Sequence, residues 1–202
     1  MPDDGKNERM GRTTGRTPEA TRRLLLDAAA QVISRQGVGA TLDVIARHAG
    51  ISKGGLVYHF ASKQALLVAL AQEQLDDFRD CVREQIADPE GTPGRLTRAY
   101  VRANLGPFDG DEIIERYSLV AQLLTVPEIL EMSRDDERRW QRDMEADGVP
   151  LAAQRVILAA SDGIAARPVW NPPDQEPEVR RELEAALLGM IDAAVAGAEF
   201  RL

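Results

Sequence analysis

Two histidines, one cysteine and a scatter of carboxylates are the residues of this 202-residue chain that could hold a metal or move a proton. Glu73 and Asp77 stand one helical turn apart, as carboxylates at helix-borne metal sites do. Such sites also want a Glu-x-x-His pattern, and neither His48 nor His59 has an acidic residue three positions earlier. Cys81 has no second cysteine to pair with and no histidine at ligand spacing. The G-x-G-x-x-G, P-loop and G-x-S-x-G signatures are missing. The sequence assigns no catalytic residue, no metal and no cofactor, and an enzyme is not expected.

What remains is charge, unevenly placed. The formal net charge is -8, but residues 1–63 carry ten Lys and Arg against six Asp and Glu, whereas the rest carries fifteen against twenty-seven. A basic third on an acidic body suggests an anion-binding unit fused to a part with another task. With 44% hydrophobic and only 4% aromatic residues, the core must be built from Ala, Leu, Val and Ile, which favours helices over a β-sandwich. Residues 1–20 contain no apolar run that could serve as a signal peptide or membrane span, so a cytoplasmic protein with no membrane partner is expected.

The elements that would position a binding surface can be read from their caps. Residues 1–16, glycine-bearing and basic, read as a flexible arm. Thr17-Pro-Glu opens a helix whose apolar residues Leu25, Ala28, Ala29, Val32 and Ile33 recur at helical spacing until Gly37. Thr41 caps a helix of barely two turns that His48-Ala49-Gly50 stops, Ser52 caps another, and Ser62 caps the next. Two short helices joined by a tight glycine turn, behind a longer packing helix, describe a helix-turn-helix whose second helix fits the major groove of B-DNA.

The run Thr41-Leu-Asp-Val-Ile-Ala-Arg-His-Ala-Gly-Ile-Ser-Lys-Gly-Gly-Leu-Val-Tyr-His-Phe-Ala-Ser-Lys63 closely resembles the DNA-binding signature of the TetR family of bacterial transcriptional regulators. The match covers roughly residues 20–70, and the remainder agrees only as an all-helical body. The resemblance implies a homodimer that binds a palindromic operator, as a repressor released when a small-molecule effector occupies the C-terminal domain. It places Ser52, Lys53 and Gly54 at the start of the recognition helix, facing phosphate or a base edge. Tyr58 and His59 match the family's phosphate-contacting pair, and Lys63 and Thr41 add further phosphate contacts. Lys53, Gly55 and Val57 are expected to matter for specificity, whereas Leu56 and Phe60 belong to the core. The double glycine Gly54-Gly55 departs from the commoner pattern, in which the second position carries a side chain.

Beyond Lys63 a long helix over residues 63–86 would join head to body, and proline and glycine breaks divide the rest into five more helices. The expected architecture is all-α with about nine helices: an arm at 1–16, a helix-turn-helix DNA-binding domain at 17–63, and a ligand-binding and dimerisation domain at 64–202. Aromatic and polar residues on the central helices, Leu96, Tyr100, Asn104, Phe108, Tyr117, Val120, Leu124, Trp140 and Met144, are the expected pocket. A small-residue helix at 151–167 and a continuous apolar stripe at 178–200 are expected to dimerise, through Leu158, Val179, Leu183, Leu187, Met190, Ile191 and Ala194. Arg95, Arg98 and Arg102 read as a solvated ion-pair surface, and residues 134–143 as an exposed charged helix. The alternative to a regulator is a helical ligand-binding or scaffold protein that has lost operator binding.

Overall fold

The computed structural model describes residues 16–106, 110–170 and 177–197, so the expected arm, apart from Arg16, lies outside the described residues. Among those residues the chain forms nine α-helices: α1 Pro18–Gln36, α2 Leu42–His48, α3 Lys53–His59, α4 Lys63–Glu84, α5 Arg95–Leu105, α6 Gly110–Leu123, α7 Pro127–Glu145, α8 Leu151–Ala166 and α9 Pro177–Val195, with a 3-10 turn at Arg167–Val169. None is long and apolar enough to cross a membrane. The positions from 198 onward of the expected last helix also lie outside the described residues.

The first four helices start where their caps place them. The hydroxyls of Thr17, Thr41, Ser52 and Ser62 accept from the amides of Ala20, Val44, Gly55 and Ala65 at 3.2, 3.3, 3.1 and 3.0 Å. Each such cap is worth about 1 kcal/mol. Gly50 turns the chain between α2 and α3 at a φ of 67°, in the left-handed region that a side chain disfavours.

Helices of seven residues do not persist alone, so α2 and α3 depend on packing. Ile45, Ala46 and Leu56 supply it, joining Leu25, Leu26, Ala29, Val32 and Ile33 of α1 in one buried cluster. That cluster continues into Leu66, Leu67 and Leu70 of α4, Leu119 and Leu123 of α6, and Ile129 of α7. Packing therefore runs straight through the boundary expected at residues 63 and 64.

A second cluster joins Val101 and Leu105 of α5, Ala153 and Ile157 of α8, and Leu187, Ile191 and Ala194 of α9. Polar side chains fasten both ends of α5. The Asp147 carboxylate accepts from the Leu96 and Thr97 amides, each at 2.8 Å, and Arg180 donates to the carbonyls of Asn104, Leu105 and Gly106. Arg98, expected on a solvated surface, is instead buried, reaching Asp88, Asp192 and the Pro93 carbonyl.

Helix α7 spans the two regions. Its 19 residues reach about 28 Å at 1.5 Å per residue. Ile129, in the first turn, is sealed in the first cluster, while Met144 at the far end is buried beside α5 and α8. Gln64 of α4 donates to Glu128 at 2.8 Å near the same N-terminal end.

Candidate nucleic-acid interface and ligand cavity

Helix α3 is fixed from behind and bare in front. Leu56 and Phe60 are at most 3% exposed, whereas Tyr58 is 81% and Val57 42% exposed. A tyrosine so open on a helix so firmly anchored gains nothing for the fold. The Tyr58 and His59 rings meet edge to face at 5.2 Å, and the Arg22 guanidinium covers Phe60 at 4.9 Å. Thr41, Ser52, Lys53 and Gly54 are also exposed, and Gly55, His59 and Lys63 are half-buried. Thr41 and Ser52 spend an acceptor on their caps and keep the hydroxyl proton for another partner. Lys53 Nζ lies 2.8 Å from Asp43 Oδ2 on α2.

The two glycines separate. A Cβ at Gly54 would meet nothing within 4 Å, but one at Gly55 would lie 2.9 Å from Ile51 Cγ2 and 3.3 Å from Ser52 Oγ. A side chain at Gly55 would therefore face the turn. The glycine allows α3 to close on its own cap.

In the body, a cavity of about 240 Å³ opens between α5, α7 and α8. Of the nine expected pocket residues, Tyr100, Trp140 and Met144 line it. Leu96 packs instead beside Val82 and Ala99, and Asn104 is buried behind the wall. Tyr117, Val120 and Leu124 do not reach the cavity, because α6 packs on α1 and the 3-10 turn. Phe108 lies outside the described residues.

The opposite wall comes from α8, with Gln154, Arg155, Leu158 and Asp162, and Glu137 and Glu145 of α7 add two carboxylates. Sequence reasoning missed these because α8 read as a helix-packing surface and residues 134–143 as solvated. Only the spacing of Glu137, Trp140, Gln141 and Met144 on one face hinted otherwise.

Two hydrogen-bonded groups shape the wall. Tyr100 Oη donates to Asp162 Oδ1 at 2.8 Å, and Asn104 Nδ2 reaches the same oxygen at 2.8 Å. Burial pushes the Asp162 carboxyl above the ordinary carboxylate range; the two hydrogen bonds pull it down, and the Glu137 charge adds to the rise. Burial and then the Asp162 charge drive the Tyr100 hydroxyl far above its usual value, so it remains a donor. Behind Trp140, the Arg79 guanidinium of α4 sits 4.2 Å from the ring centre and bonds Asp136 at 2.7 Å. The cavity wall thus touches the helix that leaves the head.

The expected dimer residues divide as well. Leu187, Ile191 and Ala194 are at most 5% exposed inside the chain's own second cluster, and Leu158 lines the cavity. Ile191 is fully buried and has no surface left for a partner. Leu187, Ile191 and Ala194 are corrected to the subunit interior, because a period-3.6 apolar stripe is satisfied equally by a core, whereas Leu158 is half-buried. Val179 is 39% exposed, and Leu183 and Met190 are half-buried.

Residues 25–70 match the family described as "Bacterial regulatory proteins, tetR family", and residues 94–192 match "Tetracyclin repressor-like, C-terminal domain". Among curated relatives, the HTH-type transcriptional regulator BetI of Escherichia coli O127:H6 is 36% identical over 94 residues, 46% of this chain and 47% of BetI. The chain spans less than half the length of the first curated relatives it matches. A transcriptional regulator from Rhodococcus sp. Rha1 superposes with a TM-score of 0.66 at 24% identity, covering 90% of this chain and 99% of that one. The multidrug binding protein EbrR, solved with imidazole, superposes with a TM-score of 0.59 at 25% identity, covering 85% and 90%. With both halves of the architecture matched, and the anchored, outward-facing α3 inside the N-terminal match, the chain belongs to the TetR family of bacterial regulatory proteins.

Proposed function

We propose that the chain is a sequence-specific DNA-binding transcriptional regulator, a homodimeric repressor released from a palindromic operator by a small molecule in the α5–α7–α8 cavity. The observation that carries this is the 81% exposure of Tyr58 on a helix whose other face is sealed by Leu56 and Phe60. Residues 17–63 act as the DNA-binding domain and 64–202 as the ligand and dimer domain. Tyr58, His59, Lys63 and Thr41 hold phosphates, while Lys53 and Val57 read base edges. Ser52 and Gly54 bring the start of α3 close to the backbone.

Dimerisation uses the outer faces of α8 and α9. Ala160 and Gly163 on one helix, and Ala186, Gly189 and Ala193 on the other, form small-residue stripes that let helices of two subunits approach closely. A Cβ at Gly163 or Gly189 would meet nothing within 4 Å among the described residues. Val179, Leu183 and Met190 flank the α9 stripe.

Coupling follows from α7 and α4. A ligand pressing on Trp140 displaces Arg79 of α4 or tilts α7, whose Ile129 end is locked into the head's core. Either shift changes the separation of the two α3 helices and moves the population away from the DNA-bound arrangement. Selection of tight binders from a random duplex pool with the full chain tests the reading. An enriched inverted repeat, with half-sites about one DNA turn or a small multiple apart, is expected; a pool left unenriched contradicts it.

A further inference from the structure

We infer that the cavity takes an organic cation, a flat apolar body ending in a positive group that carries N–H donors, such as an amidinium or a protonated amine. This rests on the proposed reading of the cavity as the effector site.

Charge is the first argument. Glu137, Glu145 and Asp162 border the cavity against a single Arg155, and none of the four enters an ion pair among the described residues. The Glu137 charge, of the same sign, acts on Asp162 and raises it. Both donors to Asp162 meet Oδ1, so Oδ2 accepts nothing from the described residues. A cation supplies what this wall lacks, whereas an anion of the same shape adds a like charge to three carboxylates that no ion pair neutralises among the described residues.

Hydrogen bonding is the second. Gln154 is 2% exposed, and its Nε2 donates to Thr97 Oγ1 at 3.1 Å and to the Met144 carbonyl at 2.8 Å. Its Oε1 accepts from none of the described residues. A buried amide oxygen left so is costly, and a ligand N–H relieves it.

Shape and polarisability are the third. Trp140 and Tyr100 stand edge to face at 5.4 Å, and Trp140 already holds the Arg79 guanidinium on one face. Aromatic walls of this kind favour a delocalised cation. The volume of about 240 Å³ suits a bicyclic ring system.

Three planar probes of nearly identical outline separate charge from shape: naphthalene-2-carboxamidinium, the neutral naphthalene-2-carboxamide and the anionic naphthalene-2-carboxylate. Titration calorimetry on the full chain is expected to rank them in that order, with the amidinium about tenfold tighter than the amide, the size of one partly buried ion pair. Asp162→Asn retains an acceptor for Tyr100 and Asn104, and Glu137→Gln sits on an exposed position. Each is expected to weaken the amidinium severalfold and leave the amide unchanged. An amide or carboxylate that binds as tightly as the amidinium, or variants that change nothing, overturns the cation assignment while leaving the cavity a ligand site. Absence of heat with all three overturns the assignment and the effector site together. The duplex selection succeeds or fails independently of these titrations.

Discussion

Lys53 Nζ and Asp43 Oδ2 lie 2.8 Å apart, a pair that ties the first residue of α3 to the preceding helix. Both side chains are more than half exposed, so the pair contributes little to stability, about 0.5 kcal/mol. Its consequence is orientation: the carboxylate holds the ammonium in place and repels phosphate from any other approach. Asp43→Asn is expected to strengthen binding to scrambled duplex and to lower the ratio of selected to scrambled affinity by about tenfold, the scale of one base contact. Competition binding on the two duplexes checks it.

The adjacent glycines are expected to respond in opposite directions. Gly54→Ala, with open space for its Cβ, raises helix propensity and stability by up to about 1 kcal/mol. Gly55→Ala drives a Cβ against the Ile51 methyl at 2.9 Å and costs stability despite the same propensity gain. Urea denaturation of the two variants reads the difference directly.

Arg79 is 5% exposed and joins α4 to α7 through Asp136, Asp143 and the Trp140 ring. Lysine keeps the charge and loses the planar fork and the stacking, so Arg79→Lys is expected to cost about 1–3 kcal/mol by urea denaturation. Arg79→Ala costs more, leaving Asp136 partly buried without a counter-charge.

Asp162 gives a pH signature. Its folded-state carboxyl titrates above the ordinary range, chiefly through burial, so the contribution present when it is protonated is lost as pH rises through the folded value. Asp162→Asn escapes that loss. The variant is expected to melt at a higher temperature than the parent at neutral pH, with the gap narrowing as pH falls and the parent's carboxyl protonates. A gap independent of pH contradicts the assignment.

The head was legible because its signals are local. A hydroxyl three residues before a free amide, a glycine at a left-handed turn and short apolar spacings fix α1 to α4 without reference to the rest of the chain. The cavity was legible only in part, because lining depends on which neighbour a helix faces. Tyr117, Val120 and Leu124 have the composition of a pocket wall, yet α6 is turned onto α1 by Leu119 and Leu123. Asp162 and Gln154 sat unseen in a stretch that reads as small-residue packing. The stripe through Leu187 and Ile191 illustrates the same limit: periodicity names a buried face and not its partner.

Fluorescence anisotropy shows whether α3 reads DNA with its phosphates held by Tyr58 and Lys63. Duplex from the selection is compared with a scrambled duplex at two salt concentrations, for the parent and for a Tyr58→Phe, Lys63→Ala double variant. Tyr58 is largely solvent-exposed and Lys63 half-buried, so the double variant is expected to remain folded. The parent is expected to bind selectively and with salt sensitivity, and the variant to lose affinity on both duplexes with a salt slope shallower by about one. Equal affinity of the parent for both duplexes, or a variant indistinguishable from it, would rule out DNA reading by α3 through Tyr58 and Lys63.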